Sequence, residues 1–203
     1  MTSDPDPEAR TGELLGPRLR ELRLQSGTSL RALARELGIS ASAVSQIERG
    51  IMRPSVSRLI AYVSALGVPL SAVFETGLEK EPEGGGAVEE HRFAIRRSWE
   101  VAPIKLGGGV TFRRLAPVPT PGVEFFESIY PPNAISNAHG QFLKHEGYEV
   151  GTVTQGELTI EFESDIVTLA VNDSITFPCA RPHIIGNRSK TVTAVATWLI
   201  VHP

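Results

Sequence analysis

Ser29-Leu-Arg-Ala-Leu-Ala-Arg-Glu-Leu-Gly38 runs straight into Ile39-Ser-Ala-Ser-Ala-Val-Ser-Gln-Ile-Glu-Arg-Gly50, and together they read as two short helices joined by a glycine turn. Ser29 stands where a hydroxyl can accept from the free amides of a first helical turn, with Leu30, Leu33, Ala34 and Leu37 recurring at helical spacing behind it. Gly38 ends that helix, because glycine enters the left-handed region without a Cβ clash. Ser40 caps a second helix that continues through Arg49 and stops at Gly50. Val44 and Ile47 form its buried stripe, which leaves Ala41, Ser42, Ser45 and Gln46 on the other face. Ala34 is small where the two helices must pack closely.

Outward from this stretch the helical period persists. Leu19 and Leu22 precede it, and Val56, Leu59 and Ile60 follow. Residues 15–74 therefore read as one all-helical domain. Residues 75–91 carry a triple glycine, a proline and several glutamates and cannot bury a face, so a flexible, self-repelling linker is expected. Beyond it the pattern shortens to strand-like runs, among them Val123-Glu-Phe-Phe-Glu-Ser-Ile-Tyr130 and Leu158-Thr-Ile-Glu-Phe162, so 92–203 reads as an all-β domain. Residues 1–14 are expected as an unstructured tail. Residues 1–10 lack the apolar stretch of a signal peptide, and no run approaches the ~18 apolar residues of a membrane span. The single cysteine, Cys179, makes no internal disulfide and no zinc cluster. A cytoplasmic protein is expected.

The net charge of −3 hides an asymmetry. Residues 16–74 hold eight arginines against three glutamates, 8 − 3 = +5, so the remainder carries −8. A basic domain on an acidic one suits double-stranded DNA as partner. Two short helices with a glycine turn form a helix-turn-helix, whose second helix enters the major groove.

The wording Leu33-Ala34-(x)3-Gly38-Ile39-Ser40, Val44-Ser45-Gln46-Ile47-Glu48-Arg49-Gly50, Pro54-Ser55 and Leu66-Gly67-Val68 resembles the Cro/C1 (xenobiotic-response-element) family over about residues 15–74. That resemblance implies a five-helix domain and base contacts from Ala41, Ser42, Ser45 and Gln46, beside Ser29 and Ser40. A glutamine amide can pair bidentately with adenine, and a serine can reach bases or phosphates. Arg18, Arg23, Arg31, Arg49 and Arg53 are candidates for phosphate contacts; the alternative for each is a surface ion pair, for example with Glu21 or Glu48.

In the second domain, His145-Glu-Gly-Tyr-Glu149-(x)6-Gly156 and Asp173-Ser-Ile-Thr-Phe-Pro178-(x)3-Pro182-His183-(x)3-Asn187 resemble the two motifs of the cupin family, a jelly-roll β-barrel. Family cupins hold a divalent metal on three histidines and a glutamate. His145, Glu149 and His183 match three of those positions, while Leu143 stands at the fourth and Asn172 replaces a usual glycine. His139 cannot substitute, since six extended residues span ~20 Å. The remaining set is adequate for Fe(II), or for Zn(II) with a water; the alternative is a metal-free pocket with both histidines hydrogen-bonded. Cys179 is a further soft donor, or a buried inert thiol.

The wording from Leu143 to Ile160 also resembles the putrescine-responsive repressors, in which Leu143's position is likewise not histidine. This implies a small-molecule effector, an amine or amino-acid-like metabolite, with Glu149 as counter-charge and Tyr148 as aromatic wall or outward packing residue. The expectation is a homodimeric, ligand-responsive transcription regulator, probed against two alternatives: an iron-dependent, epoxidase-like cupin using His145, Glu149 and His183, and a scaffold whose barrel only dimerises.

Overall fold

A computed structural model describes residues 7–74, 93–97, 103–137 and 141–202, with side chains from residue 15 onward. The expected linker at 75–91 and His139 lie outside the described residues. The N-terminal part contains α1 (Pro7–Gln25), α2 (Leu30–Glu36), α3 (Ala41–Glu48) and α4 (Val56–Leu66). Serines start three of them: the hydroxyls of Ser29, Ser40 and Ser55 accept from the amides of Ala32, Ala43 and Arg58.

Two boundaries differ from expectation. α1 begins at Pro7, inside the stretch read as a tail. Proline is favoured in a first helical turn, where its missing N–H is not needed. Polar composition alone had argued for a tail, and polarity does not oppose an exposed helix. The expected fifth helix is instead a 3-10 turn, Leu70–Phe74. Gly67 closes α4 in the left-handed region (φ 66°), and Ala72 N–H then bonds to Pro69 O three residues back. Five residues after a proline close 3-10 rings without room for an α-helical ladder.

A buried polar group pins three helices together. Arg23 donates through Nε and Nη2 to Glu48 at 2.5 and 2.8 Å, and the Tyr62 hydroxyl donates to the same carboxylate at 2.7 Å. Around it pack Leu19, Leu33, Val44, Ile47, Leu59 and Val63. α1 crosses the end of α3 so closely that a Cβ on Gly16 would lie 2.6 Å from Ile47 O.

The C-terminal part is a two-sheet barrel of β1 (Ile104–Lys105), β2 (Thr111–Arg114), β3 (Val123–Tyr130), β4 (Tyr148–Gln155), β5 (Leu158–Phe162), β6 (Ile166–Leu169), β7 (Ser174–Pro178), β8 (His183–Gly186) and β9 (Ala194–Val201). One sheet has the order β1-β2-β3-β9-β4-β7, the other β6-β5-β8. Strand alternation sends Phe112, Phe126, Val153 and Trp198 inward from the large sheet to meet Leu158, Ile160 and Phe162 from the small one. The Trp198 ring lies over Gly151, where a Cβ would come within 2.2 Å of it, and its Nε1–H donates to Ser128 Oγ at 2.9 Å. Asn172 has φ 73°, so the residue that replaced the motif's glycine keeps its left-handed backbone. Asparagine tolerates that region better than most residues.

Helical and β parts share a continuous buried core. Ser57 donates from both N–H and Oγ to Ser136 O, at 3.0 and 2.9 Å. Gly107 N–H donates to Pro54 O at 2.8 Å, and Ser71 N–H to Glu124 Oε1 at 2.9 Å.

Candidate functional site

The first candidate surface is the outer face of α3. Ser42 and Arg49 are exposed there, Ser45 and Gln46 half-exposed, and the Gln46 amide lies 3.4 Å from Ser42 Oγ. Ala41 packs partly against the helical core, which leaves less of it to touch a base. Ser29 and Ser40 spend their acceptor lone pairs on helix caps and keep an exposed hydroxyl proton. Arg31, Arg49 and Arg53 are exposed around this face, and Arg49 Nε donates back to Ser45 O at 3.2 Å. Arg23 does not belong with them. It is 6% exposed and committed to Glu48, so it is structural. Arg18 is likewise engaged, with Glu21 at 2.8 Å and Ala72 O at 2.8 Å.

The second candidate lies inside the barrel. Along β4 the pleat turns Glu149 inward (3% exposed) and Tyr148 outward (55% exposed), so Tyr148 is not a wall of the pocket. That corrects its expected ligand contact: neighbours in a strand face opposite sides. His145 Nε2 lies 3.0 Å from Glu149 Oε1, and His183 Nε2 lies 3.8 Å from the same oxygen. Leu143 pairs with His183 in an isolated antiparallel bridge and buries an aliphatic side chain against the pocket.

The surroundings shift the two histidines in opposite directions. Burial alone would lower the His145 pKa, but the hydrogen bond and charge of Glu149 outweigh it and raise it. Burial dominates at His183 and lowers its pKa, with only partial relief from Glu149. Its Nδ1 must donate to Arg181 O at 2.9 Å, because a carbonyl only accepts, and the neutral ring then turns the bare Nε2 toward Glu149. An imidazole lone pair and a carboxylate oxygen thus face one another inside a buried cavity. That pairing is complementary to a cation carrying N–H donors.

A metal fits less well. Among the described residues, the compact donor trio, with atoms within 4.8 Å of one another, is His145, Glu149 and Cys179 rather than the trio with His183. Burial, with the Glu149 charge, pushes the Cys179 thiol up to about 12. Leu143 leaves the fourth motif position without a donor, so the set is incomplete against the family pattern.

The cavity beside Glu149 measures about 20 Å³, and Phe126, Trp198 and His183 contribute to its wall. Its lining is completed by Val56 and Ile60 of α4, two residues that carried only a helix-core signal in the sequence.

Residues 19–73 match the family described as helix-turn-helix, and residues 126–200 match the cupin domain. As a class, a helix-turn-helix joined to a cupin domain is the plan of a DNA-binding transcription regulator. In particular, the chain is homologous to the HTH-type transcriptional regulator PuuR of Escherichia coli (strain K12), at 28% identity over 89% of this chain and 91% of that protein. The same identity and coverage hold for PuuR of Shigella flexneri. An HTH_3 family transcriptional regulator from Vibrio cholerae shares the fold across 97% of this chain and 99% of its own, at 23% identity and TM-score 0.65. No helix among the described residues is long and apolar enough to cross a membrane.

Proposed function

We propose that the barrel is the sensor of this regulator and takes a small cationic metabolite of the amine or amino-acid-like class. The carrying observation is the buried Glu149 oxygen with His183 Nε2 3.8 Å from it, both lining one largely apolar cavity. An ammonium group donates to both acceptors and supplies the charge that Glu149 lacks once His145 is displaced or loses its proton. The resemblance of the stretch around His145 to putrescine-responsive repressors supports the same ligand class. The protein acts as a homodimeric repressor in the cytoplasm: Gln46, Ser42 and Ser45 read bases, while Arg31, Arg49 and Arg53 hold phosphates beside the caps Ser29 and Ser40. Two-fold symmetry brings two α3 helices to half-sites about one helical turn apart.

The test is a thermal-shift titration with diamines, amino acids and divalent metals, read alongside binding to the promoter of the chain's own gene. A saturable stabilisation by an amine that vanishes in Glu149→Gln supports the reading. Stabilisation by zinc or iron alone, lost in His145→Ala, would replace the amine with a metal on His145, Glu149 and His183. Indifference to every compound would reduce the barrel to a dimerising scaffold.

A further inference from the structure

The DNA-binding domain itself supplies one wall of the cavity beside Glu149. Val56 and Ile60, four residues apart on one face of α4, are 4% and 8% exposed and belong to its lining. The residue between them fastens this wall: Ser57 donates twice to Ser136 O, and Ser136 lines the same cavity. Just before α4, Pro54 O receives the Gly107 amide.

At about 20 Å³ the cavity has room for about one or two waters. An amine with a few methylenes exceeds that volume, so seating it fully beside Glu149 presses on the lining, of which α4 is one wall. The barrel wall is the stiffer side. β3 and β9 are joined along eight registered pairs, and β9 is paired on its other edge with β4. The α4 wall is held across the seam by a few hydrogen bonds and apolar contact.

We infer that α4 is the movable wall of the sensor cavity, so that a metabolite on Glu149 and a closed Ser57–Ser136 seam exclude one another. The inference rests on the sensor reading of that cavity and adds how its occupancy reaches DNA. α4 is tied to α2 by the Arg58 hydrogen bond to Leu37 O and shares one core with α3, so the helical domain moves with it as a unit. In a dimer held by its barrels, opening two seams changes the placement of the two α3 helices against half-sites of fixed spacing. The coupling is reciprocal: operator DNA weakens metabolite binding by the factor by which metabolite weakens DNA binding.

The test uses the full chain in a Trp99→Phe background, which leaves Trp198 in the cavity wall as the single tryptophan. Ser57→Glu sets a carboxylate against the Ser136 carbonyl while favouring the α4 N-terminus electrostatically, so the helical domain keeps its fold. Acrylamide quenching of Trp198 should rise at least about twofold in this variant, with promoter affinity lower by about tenfold or more, within the usual range of allosteric coupling. Putrescine should raise quenching in the unmodified seam and bind Ser57→Glu more tightly. A variant with raised quenching and unchanged promoter affinity overturns the inference. So does unchanged quenching in both Ser57→Glu and Ile60→Ala, which would mark α4 as immovable, and so does putrescine binding without a change in quenching. If putrescine binds neither protein, the sensor reading fails for that amine, and the Ser57→Glu comparison still decides the seam.

Discussion

At the scale of single residues, the two sites differ in how they can be tested. Gln46 is the side chain on α3 best suited to read a base, because its amide both donates and accepts. Gln46→Ala should cost about 1–3 kcal/mol at the operator and leave random-sequence affinity nearly unchanged, as measured by competition binding. Arg49→Ala should weaken operator and random DNA alike and reduce the salt slope by about 0.9. Equal loss on both DNAs for Gln46→Ala would remove it from base reading. The serine caps were legible because capping is local: hydroxyl and recipient amide are three residues apart. The fate of Arg23 was not. Its partner Glu48 lies 25 positions away, and only the crossing of α1 over α3 joins them. Glu149 and Tyr148 fall between these cases, since alternation says they face opposite sides and only the barrel says which side is inside.

At the scale of elements, the Arg23–Glu48–Tyr62 group holds α1, α3 and α4 in register. Burial alone would raise the Glu48 pKa, but the hydrogen bonds from Arg23 and Tyr62 outweigh it and hold the carboxyl below its ordinary value of about 4.3. A depressed folded-state pKa contributes stability that is present above the unfolded value and lost as pH falls through the folded one. Glu48→Gln should therefore destabilise the protein by about 3–5 kcal/mol at neutral pH, since it leaves Arg23 buried without its counter-charge. The gap to the parent should narrow below about pH 4.3, as read from denaturant midpoints across pH; a gap independent of pH would show that the ion pair is not the cause. In the barrel, Gly151→Ala drives a methyl into the Trp198 ring and should cost about 1–3 kcal/mol, with a shift in tryptophan emission in the Trp99→Phe background. Element types were mostly readable from periodicity, and the ends were not: Pro7 extends a helix into polar sequence, and Gly67 with Pro69 shortens the expected fifth helix to a 3-10 turn.

For the whole molecule, a basic domain of +5 on a remainder of −8 predicts DNA affinity that falls steeply with salt while the barrel stays off the phosphates. Sedimentation should show a dimer, and hydroxyl-radical footprinting should show two protected patches about one helical turn apart. A monomer with a single patch would contradict the symmetric arrangement. From its own pattern the sequence determined a helical reading domain, a β domain and the chemistry of each motif, because caps, periodicity and spaced motifs act over a few residues. Tertiary structure alone decided which arginines remain outside, which face of β4 looks inward, and that Val56 and Ile60 line the cavity beside Glu149. The physical reason is distance along the chain: a cavity wall assembled from residues 56 and 149 leaves no local pattern, and only packing brings its two sides together.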